Sequence, residues 1–205
     1  MFERFWREPK KGNKVSVGCD YYNAAFSHSE EWKAHYTKSS YYFIWTVILD
    51  RLRAIKPQAV LEIGCGPGQL ASAMHEAGVA PRYTGLDFSE VAIEFAKKAC
   101  PPHFDFRLED AAASNVYSSA DYDTMVSTEF LEHVEQDLEI LSKIRPGTRC
   151  LATVPDFPYI SHVRHFHDAL SVGDRYSSLF SDLSIVGIRG IQPGTCFYLM
   201  QGTKT

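Results

Sequence analysis

Two carboxylates and an imidazole stand close together at Glu129, Glu132 and His133. If this segment is helical, positions i, i+3 and i+4 share one face and the three side chains converge. Such a group suits a hard or borderline divalent ion. The imidazole by itself suits a general base, because its unperturbed pKa lies near neutrality. The spacing therefore predicts a site for metal binding or proton transfer, with His133 and Glu132 as the catalytic pair.

A second candidate site is the glycine-rich segment VLEIGCGPGQ at residues 60–69. An apolar run precedes it and a helical pattern follows, which predicts a strand, a turn and a helix. Glycine permits positive φ and close approach of a ligand, and the N–H groups of the following helix point at the turn. A dinucleotide can use such a turn, but the carboxylate of Glu62 repels a pyrophosphate and instead suits a cationic or amino-bearing ligand.

An acidic residue at the next strand end strengthens the case for a nucleoside ligand. Asp87 stands 23 residues after Gly64, near the spacing at which a carboxylate binds both hydroxyls of a ribose. Ser89 suits the N-cap of the following helix, so Asp87 is not needed for that role. The spacing therefore predicts a ribose contact at Asp87.

These candidate residues need a framework of alternating strands and helices, which begins at residue 57. Predicted strands span residues 59–63, 82–87, 104–108, 123–127, 149–154, 183–189 and 196–201, and predicted helices span residues 69–77, 89–100, 135–144 and 168–180. Pro101 and Pro146 punctuate the helices. This alternation predicts an α/β fold with a mostly parallel sheet and helices on both faces.

The segment before the first strand differs in composition. Residues 1–56 are dense in aromatic side chains, and residues 44–55 continue as an amphipathic helix. We expect residues 1–56 to form a helical cap and residues 57–205 to form one compact unit. The part at residues 21–42 either packs on the sheet or folds over the ligand as a lid.

The segment at residues 60–69 closely resembles motif I of the class I S-adenosylmethionine-dependent methyltransferases, and later acidic residues follow in that family's order over residues 57–154. The resemblance implies a Rossmann-like fold with seven strands, the last antiparallel, and S-adenosylmethionine as the cofactor. It assigns to cofactor binding Glu62, Gly64, Cys65, Gly66, Gly68, Gln69, Asp87, Phe88, Asp110, Ala111 and Thr128. Glu109 competes with Asp110 for the adenine contact.

The Glu-x-x-Glu-His cluster is similar to the metal-binding segments of ubiquinone-pathway O-methyltransferases and of small-RNA 3′-terminal 2′-O-methyltransferases. The latter add a downstream histidine, so the resemblance implies a metal set of Glu129, Glu132 and His133 with His165 or His167. Leu-Glu-His-Val also follows strand four in class I methyltransferases without a metal. A divalent ion and a simple general base therefore both stay open.

The loop at residues 154–167 is predicted to leave the carboxyl edge of the sheet, where ligands bind in open α/β folds. Its prolines, aromatic residues and histidines make it a candidate surface for the methyl acceptor. Arg164 in this loop suits either a carboxylate or phosphate on the acceptor or a salt bridge to a neighbouring acid.

The bulk composition narrows the class of protein. The chain has 205 residues, 45% of them hydrophobic and 22% charged, with a net charge of −4; this predicts a globular domain without electrostatic attraction to nucleic acid or anionic membranes. Five scattered cysteines predict reduced thiols. The longest apolar run, residues 41–49, is too short to span a bilayer. We expect a cytoplasmic protein.

These observations predict a methyltransferase that transfers a methyl group to an oxygen of a small-molecule acceptor. One alternative is a metal-dependent RNA 3′-terminal 2′-O-methyltransferase, which the acidic net charge disfavours. Another is a non-catalytic cofactor-binding subunit of a partner enzyme, and an NAD-dependent oxidoreductase is the weakest rival. We expect no nucleic-acid or membrane partner. The acceptor and the oligomeric state stay open.

Overall fold

A single seven-stranded sheet organises the chain. The computed structural model describes residues 17–205. Its strands are β1 (Val60–Ile63), β2 (Tyr83–Asp87), β3 (Asp105–Leu108), β4 (Thr124–Thr128), β5 (Arg149–Pro155), β6 (Phe180–Arg189) and β7 (Cys196–Lys204). They lie in the order β3-β2-β1-β4-β5-β7-β6. The predicted α/β sheet is therefore confirmed.

Helices precede and connect these strands. The α-helices are α1 (Cys19–His28), α2 (Glu30–Lys33), α3 (Tyr42–Ile55), α4 (Gln69–Glu76), α5 (Glu90–Ala99), α6 (Val116–Ser119), α7 (Asp137–Ser142) and α8 (Ala169–Tyr176). Short 3-10 turns cover Tyr36–Lys38, Leu131–His133 and Ser177–Leu179. Ser89 caps α5, as predicted, because its hydroxyl accepts a hydrogen bond from the N–H of Ala92.

The direction of the strands places one edge of the sheet in position to bind a ligand. Strand β1 pairs in parallel with both β2 and β4, whereas β7 runs antiparallel to β5 and to β6. The strand order reverses between β1 and β4, so the chain leaves these two strands in opposite directions. A crevice opens at such a switch point beyond the carboxyl ends of the strands.

Successive side chains of each strand point to opposite sides of the sheet. Because helices cover both sides, the central strands β1, β4 and β5 are buried on both faces. Val60 and Val126 belong to the core beneath α3 and α4, while Leu61, Ile63 and Met125 belong to the core beneath α7 and α8. Helix α3 contributes a stripe of buried side chains at helical spacing: Ile44, Trp45, Ile48, Leu49 and Leu52. No helix within residues 17–205 combines the length and the apolar character needed to cross a membrane.

Several predicted elements differ in extent from the structure, and strand β7 continues to Lys204, beyond the predicted end at residue 201. Helix α7 is shorter than the predicted 135–144, because Gln136 lies outside helical geometry and serves as its N-cap. Helix α8 ends at Tyr176 and gives way to a 3-10 turn. Strand β6 begins earlier than predicted, with an irregular register around the positive-φ residue Asp182. Residues 1–16 of the predicted cap lie outside the described residues.

A buried carboxylate joins α7, α8 and the loop after β5. Asp137 has no exposed surface. Its two oxygens accept hydrogen bonds from the Arg175 guanidinium, both at 2.7 Å, and from the Tyr176 hydroxyl, also at 2.7 Å. Arg164 lies 3.4 Å from the same carboxylate. Asp137 therefore fastens the end of α8 and the loop after β5 to the start of α7.

We expect Asp137→Ala to lower the free energy of unfolding by about 2–4 kcal/mol, because it leaves two guanidinium groups without their shared acceptor in a partly buried place. Urea denaturation measures this loss. The matched control is Asp121→Ala, which removes an ion pair with Arg82 whose side chains are 60% and 72% exposed; its loss is expected to stay below about 1 kcal/mol. Equal losses for the two variants would contradict this account of the Asp137 network.

Candidate active site

A cavity of about 790 Å³ opens at the carboxyl ends of β1, β2 and β4. Its floor includes the turn after β1 and the residues after β2, β3 and β4. Its roof includes residues of α1, α2 and the segment before α3. Most of the predicted cofactor residues and the predicted catalytic residue His133 thus border one continuous space, whereas Glu132 and Gly68 lie outside its lining.

The three glycines of the turn after β1 have three different roles. All three have positive φ. A Cβ at Gly64 would lie 2.5 Å from the ring of Phe130, and a Cβ at Gly68 would lie 2.9 Å from Cβ of Ala96 on α5. A Cβ at Gly66 would meet only the Phe26 ring, at 3.8 Å, so it would occupy ligand space. Gly66 and Gly64 line the cavity, whereas Gly68 permits close packing of α5.

Glu62 provides a buried carboxyl group at the base of this turn. It is 1% exposed, borders the cavity and accepts a hydrogen bond from the Tyr83 hydroxyl at 2.6 Å. Burial raises the pKa of Glu62 to about 8, and the nearby Asp87 adds to this shift. A positive ligand group would favour the ionised form, as the sequence predicts.

Asp87 connects the glycine turn to α5. Its Oδ2 accepts a hydrogen bond from the N–H of Gly66 and its Oδ1 accepts one from the N–H of Ser89, both at 2.9 Å. Burial raises the pKa of Asp87 to about 6, against the opposing effect of these hydrogen bonds. Each carboxylate oxygen keeps acceptor capacity for a hydroxyl. Phe88, 36% exposed, lies beside it at the cavity.

The residues after β3 complete this side of the cavity. Asp110, Ala111 and Glu109 all border it. Asp110 accepts a hydrogen bond from the N–H of Ala112 at 2.8 Å, and Glu109 accepts one from the Ser114 hydroxyl. The cavity therefore contains both competitors for the adenine contact. Thr128 and Cys65, also predicted to contact the cofactor, line the cavity as well.

Gln69 connects the rigid sheet to the N-terminal segment. Its amide donates hydrogen bonds to the carbonyls of Glu31 and Ala34, at 3.0 and 2.8 Å. Farther along, the Ser89 hydroxyl donates to Asn23 of α1 at 2.6 Å. The roof of the cavity is thereby held down at two separate points.

The predicted helix through Glu129 does not form, so that premise of the metal prediction is wrong. Glu129 has φ +51° and directly follows the end of β4 instead of starting a helix. A 3-10 turn begins only at Leu131. Hydrogen bonds from the Glu129 N–H to the Thr153 hydroxyl and from that hydroxyl to the Glu129 carboxylate, at 3.1 and 3.0 Å, hold this conformation.

The acidic residues meet nevertheless, through tertiary structure. The side chains of Glu129 and Glu132 interact, and burial raises the pKa of both carboxyls. Glu132 is completely buried, and apart from the contacts with the Glu129 carboxyl and with its own backbone its oxygens have no hydrogen-bond partner. Its Oε1 lies 3.7 Å from Nε2 of His133. A buried polar group in this state indicates a missing ligand, proton or ion.

His133 presents one defined nitrogen to the cluster. Its Nδ1 lies 3.0 Å from the carbonyl of Ser161, so Nδ1 carries the proton and Nε2 keeps the lone pair. Burial lowers the pKa of His133 to about 4. The imidazole is therefore neutral at pH 7 and can act as a proton acceptor or a metal ligand.

The histidine that joins this cluster is His162. Ligand atoms of Glu132, His133 and His162 lie within 4.8 Å of one another, and no other such group of metal-ligating side chains occurs within residues 17–205. Nδ1 of His162 is 3.1 Å from the carbonyl of Phe157, which orients Nε2 as an acceptor. Histidine ligands commonly have this carbonyl support.

The structure thus brings His162 to this cluster, and neither His165 nor His167, the two alternatives expected from the sequence. A turn closed by the hydrogen bond from the His162 N–H to the Tyr159 carbonyl, at 3.0 Å, folds His162 back over the cavity. His165 and His167 pack against each other outside the lining, and the His167 carbonyl accepts a hydrogen bond from Tyr198.

Arg164 is a structural residue. Its guanidinium donates to the carbonyls of Leu131, Val134 and Glu135 and lies beside Asp137. It is not among the residues that line the cavity. The predicted salt bridge to a neighbouring acid is thus the arrangement that forms.

Aromatic rings cover the remaining wall of the cavity. Trp32 stacks on Tyr41 and Tyr41 on Trp45, while Phe197 contacts both Tyr41 and Phe157. We call these five residues the aromatic wall. The ring of Phe157 lies 5.9 Å from that of His162. The wall therefore reaches the group of Glu132, His133 and His162, which we call the acid–histidine cluster.

The chain resembles known proteins in sequence and in structure. A family model described as a methyltransferase domain matches residues 60–149. A ubiquinone biosynthesis O-methyltransferase of Paracidovorax citrulli is 30% identical over 107 residues, covering 48% of this chain and 44% of that protein. A mitochondrial enzyme of the same description from Schizosaccharomyces pombe is 29% identical over 154 residues, covering 68% and 56%. The chain spans about half the length of these curated relatives.

Solved structures match over more of the chain. The magnesium protoporphyrin IX methyltransferase of Synechocystis, solved with bound S-adenosylmethionine, has a TM-score of 0.66 at 16% identity, covering 95% of this chain and 100% of that one. An N-methyltransferase of Bradyrhizobium japonicum, solved with S-adenosylhomocysteine, has a TM-score of 0.64 at 18% identity, covering 80% and 87%. In sheet topology and in the order of its motifs, the chain therefore has the fold of these methyltransferases and resembles the class I S-adenosylmethionine-dependent enzymes over residues 60–149.

Proposed function

We propose that this chain transfers the methyl group of S-adenosylmethionine to an oxygen of a small aromatic acceptor. The observation that carries this proposal is the single cavity, which borders the glycine turn on one side and the acid–histidine cluster and aromatic wall on the other. A cofactor and an acceptor can therefore meet without crossing protein. A non-catalytic cofactor-binding subunit would not need the second half of this cavity.

The cofactor is held by residues around the first three strands. Glu62 faces its positive methionine end, Gly66 leaves the space for it, Asp87 accepts hydrogen bonds from the ribose hydroxyls, and Phe88 with Asp110 borders the adenine. These assignments fit a cationic nucleoside, because the buried carboxyls of Glu62 and Asp87 have no positively charged side chain among the groups that shift their pKa values. When bound, the cofactor supplies an activated methyl group on a positively charged sulfur.

Proton removal from the acceptor hydroxyl is assigned to His133. Its Nε2 accepts the proton, while the hydrogen bond from Nδ1 to the Ser161 carbonyl keeps the ring oriented. Because methyl transfer is an in-line displacement, the other task of the protein is to position the acceptor, which the aromatic wall performs by stacking.

The same cluster fits a divalent cation. Glu132, His133 and His162 supply the donors, with Glu129 adjoining Glu132. The close approach of two buried carboxyl groups favours such an ion, which would offset their mutual repulsion. Oxygen and nitrogen donors together suit Mn²⁺ or Zn²⁺ as well as Mg²⁺. A bound cation would lower the pKa of an acceptor hydroxyl.

The N-terminal segment is proposed to act as a lid on residues 57–205. Between residues 17 and 42 it forms the roof of the cavity and is fastened by the polar contacts of Asn23 and Gln69. The roof would therefore cover a ligand bound in the cavity. Lids of this kind exclude water from methyl transfer once they close.

For the cofactor, calorimetry should detect binding of S-adenosylhomocysteine and no binding of NAD. Asp87→Ala should weaken S-adenosylhomocysteine binding by about 1.5–3 kcal/mol, the scale of hydrogen bonds to a charged group. Asp105→Ala is the matched control, because Asp105 is an exposed residue of β3 outside the cavity. Binding of NAD, or unchanged affinity in Asp87→Ala, would contradict the assignment.

For Glu62, cofactor binding should release a proton near neutral pH. The carboxyl of Glu62, with its pKa of about 8, is mostly protonated at pH 7 before binding, and a cationic ligand favours the ionised form. Affinity for S-adenosylmethionine should therefore rise with pH up to about 8 and level off above it. Calorimetry in buffers of different ionisation enthalpy measures the released protons.

The control for this proton release is Glu62→Gln, which keeps the acceptor oxygen for Tyr83 but cannot ionise. It should abolish the release at pH 7 and leave only the weaker rise near pH 6 that Asp87 contributes. Identical binding enthalpies for the unaltered protein in all buffers would contradict the role of Glu62.

For the metal, a chelator should abolish turnover, and a divalent ion should restore it. Calorimetry with Mn²⁺ should show one binding site that Glu132→Gln and His162→Ala each weaken, because each variant removes a donor. His167→Ala is the matched histidine control. If the metal-free protein is fully active, the cation is excluded, and His133→Ala should then lower turnover by roughly a hundredfold with cofactor binding retained.

A further inference from the structure

Acidic side chains line the cavity without a lysine or arginine among the described residues, although burial raises the pKa of Glu62 and of Glu129 to about 8 and keeps these two largely protonated. Seven of the described lining residues are acidic. The seven are Glu30, Glu31, Glu62, Asp87, Glu109, Asp110 and Glu129. Four of them surround the proposed cofactor half, and Glu129 adjoins the acid–histidine cluster. Glu31 stands apart from both, beside the aromatic wall.

Glu31 is fixed in place. Its Oε1 accepts hydrogen bonds from the N–H and the hydroxyl of Ser40, at 2.9 and 2.5 Å, and its carbonyl accepts one from Gln69. Its charge reaches the aromatic wall, because Glu31, after burial and together with Glu129 and Glu132, raises the pKa of Tyr41.

The nearby cations are committed elsewhere. Arg164 is bound to three carbonyls and Asp137. Lys33 forms an ion pair with Glu30 at 2.8 Å, near the surface. Burial keeps His133 neutral. An anionic group on the acceptor would therefore lose its water without meeting a positive partner among the described residues.

We propose that the part of the cavity between the acid–histidine cluster and the aromatic wall selects aromatic hydroxy compounds that carry no carboxylate or phosphate, and that Glu31 sets this selectivity. This inference rests on the proposed methyl transfer to an aromatic oxygen and narrows its substrate class. An uncharged ring stacks on the aromatic wall, and a positive side chain gains attraction from Glu31. An anion is repelled, which is a common basis of specificity. An RNA terminus, with its phosphates, falls in the excluded class.

The test compares three ligands that share one catechol ring: 4-methylcatechol, dopamine and 3,4-dihydroxybenzoate, which are neutral, cationic and anionic at pH 7. Calorimetry measures their binding to protein saturated with S-adenosylhomocysteine, at one Mg²⁺ concentration. We expect the neutral and cationic ligands to bind. The anionic ligand should bind at least about tenfold more weakly, because its carboxylate would lie near the carboxylate of Glu31.

Glu31→Gln tests the assigned residue while keeping the oxygen that Ser40 binds. It should reduce the discrimination against 3,4-dihydroxybenzoate by about threefold or more and remove any preference for dopamine. Glu94→Gln makes the same charge change on α5, outside the cavity lining, on a side chain that is 61% exposed and already paired with Lys98, so it should leave the ratios unchanged. Thermal unfolding verifies that both variants are folded.

The outcomes separate this inference from the proposed function. Binding of 3,4-dihydroxybenzoate as tight as that of 4-methylcatechol would overturn the selectivity, as would failure of all three ligands on protein that binds S-adenosylhomocysteine. Unchanged ratios in Glu31→Gln would overturn the role of Glu31. Failure to bind S-adenosylhomocysteine at all would overturn the proposed function and, with it, the inference.

Discussion

The organisation of the site depends on the carboxylate of Asp87. One oxygen holds the glycine turn through the N–H of Gly66, and the other holds the start of α5 through the N–H of Ser89. The Ser89 hydroxyl in turn bonds to Asn23 in the roof. A single side chain at the end of β2 therefore aligns the turn, a helix and the N-terminal segment. Because these hydrogen bonds favour ionisation while burial opposes it, Asp87 keeps a charge that a ligand can still use.

Burial of acidic groups is the second constraint, and it prepares the cavity for positive charge. Burial raises the pKa values of Glu62, Glu129 and Glu132, and for Glu132 it outweighs the opposing charge of Arg164. A buried, uncompensated carboxylate is costly, so the unliganded protein keeps these groups protonated. A sulfonium ligand at one end of the cavity and a divalent ion at the other would each reverse this state. In both halves of the site, buried carboxyl groups would thus ionise when a positively charged ligand binds.

Local signals predict the cofactor half of the site well. The glycine turn, Asp87 and the Ser89 cap depend on residues adjacent in sequence, and each element is confirmed near its predicted position. The acceptor half depends on distant contacts. Thr153, from the next strand, holds Glu129 in a left-handed conformation that no helical pattern reveals. The position of His162 depends on a turn within a long loop. No motif marks Glu31, whose place is set by Gln69 from another element.

This division also explains why the family does not reveal the acceptor. The matched family model covers residues 60–149, which contain the glycine turn, Asp87, Glu132 and His133. The aromatic wall, Glu31 and His162 all lie outside that range, in the N-terminal segment and in the chain after β5. The sheet that carries the cofactor residues is rigid and buried on both faces, whereas the segments that border the acceptor are connections at its edge. The connections can therefore change without disturbing the core, and their charge and aromatic content are the physical guide to the acceptor in the proposed methyl transfer.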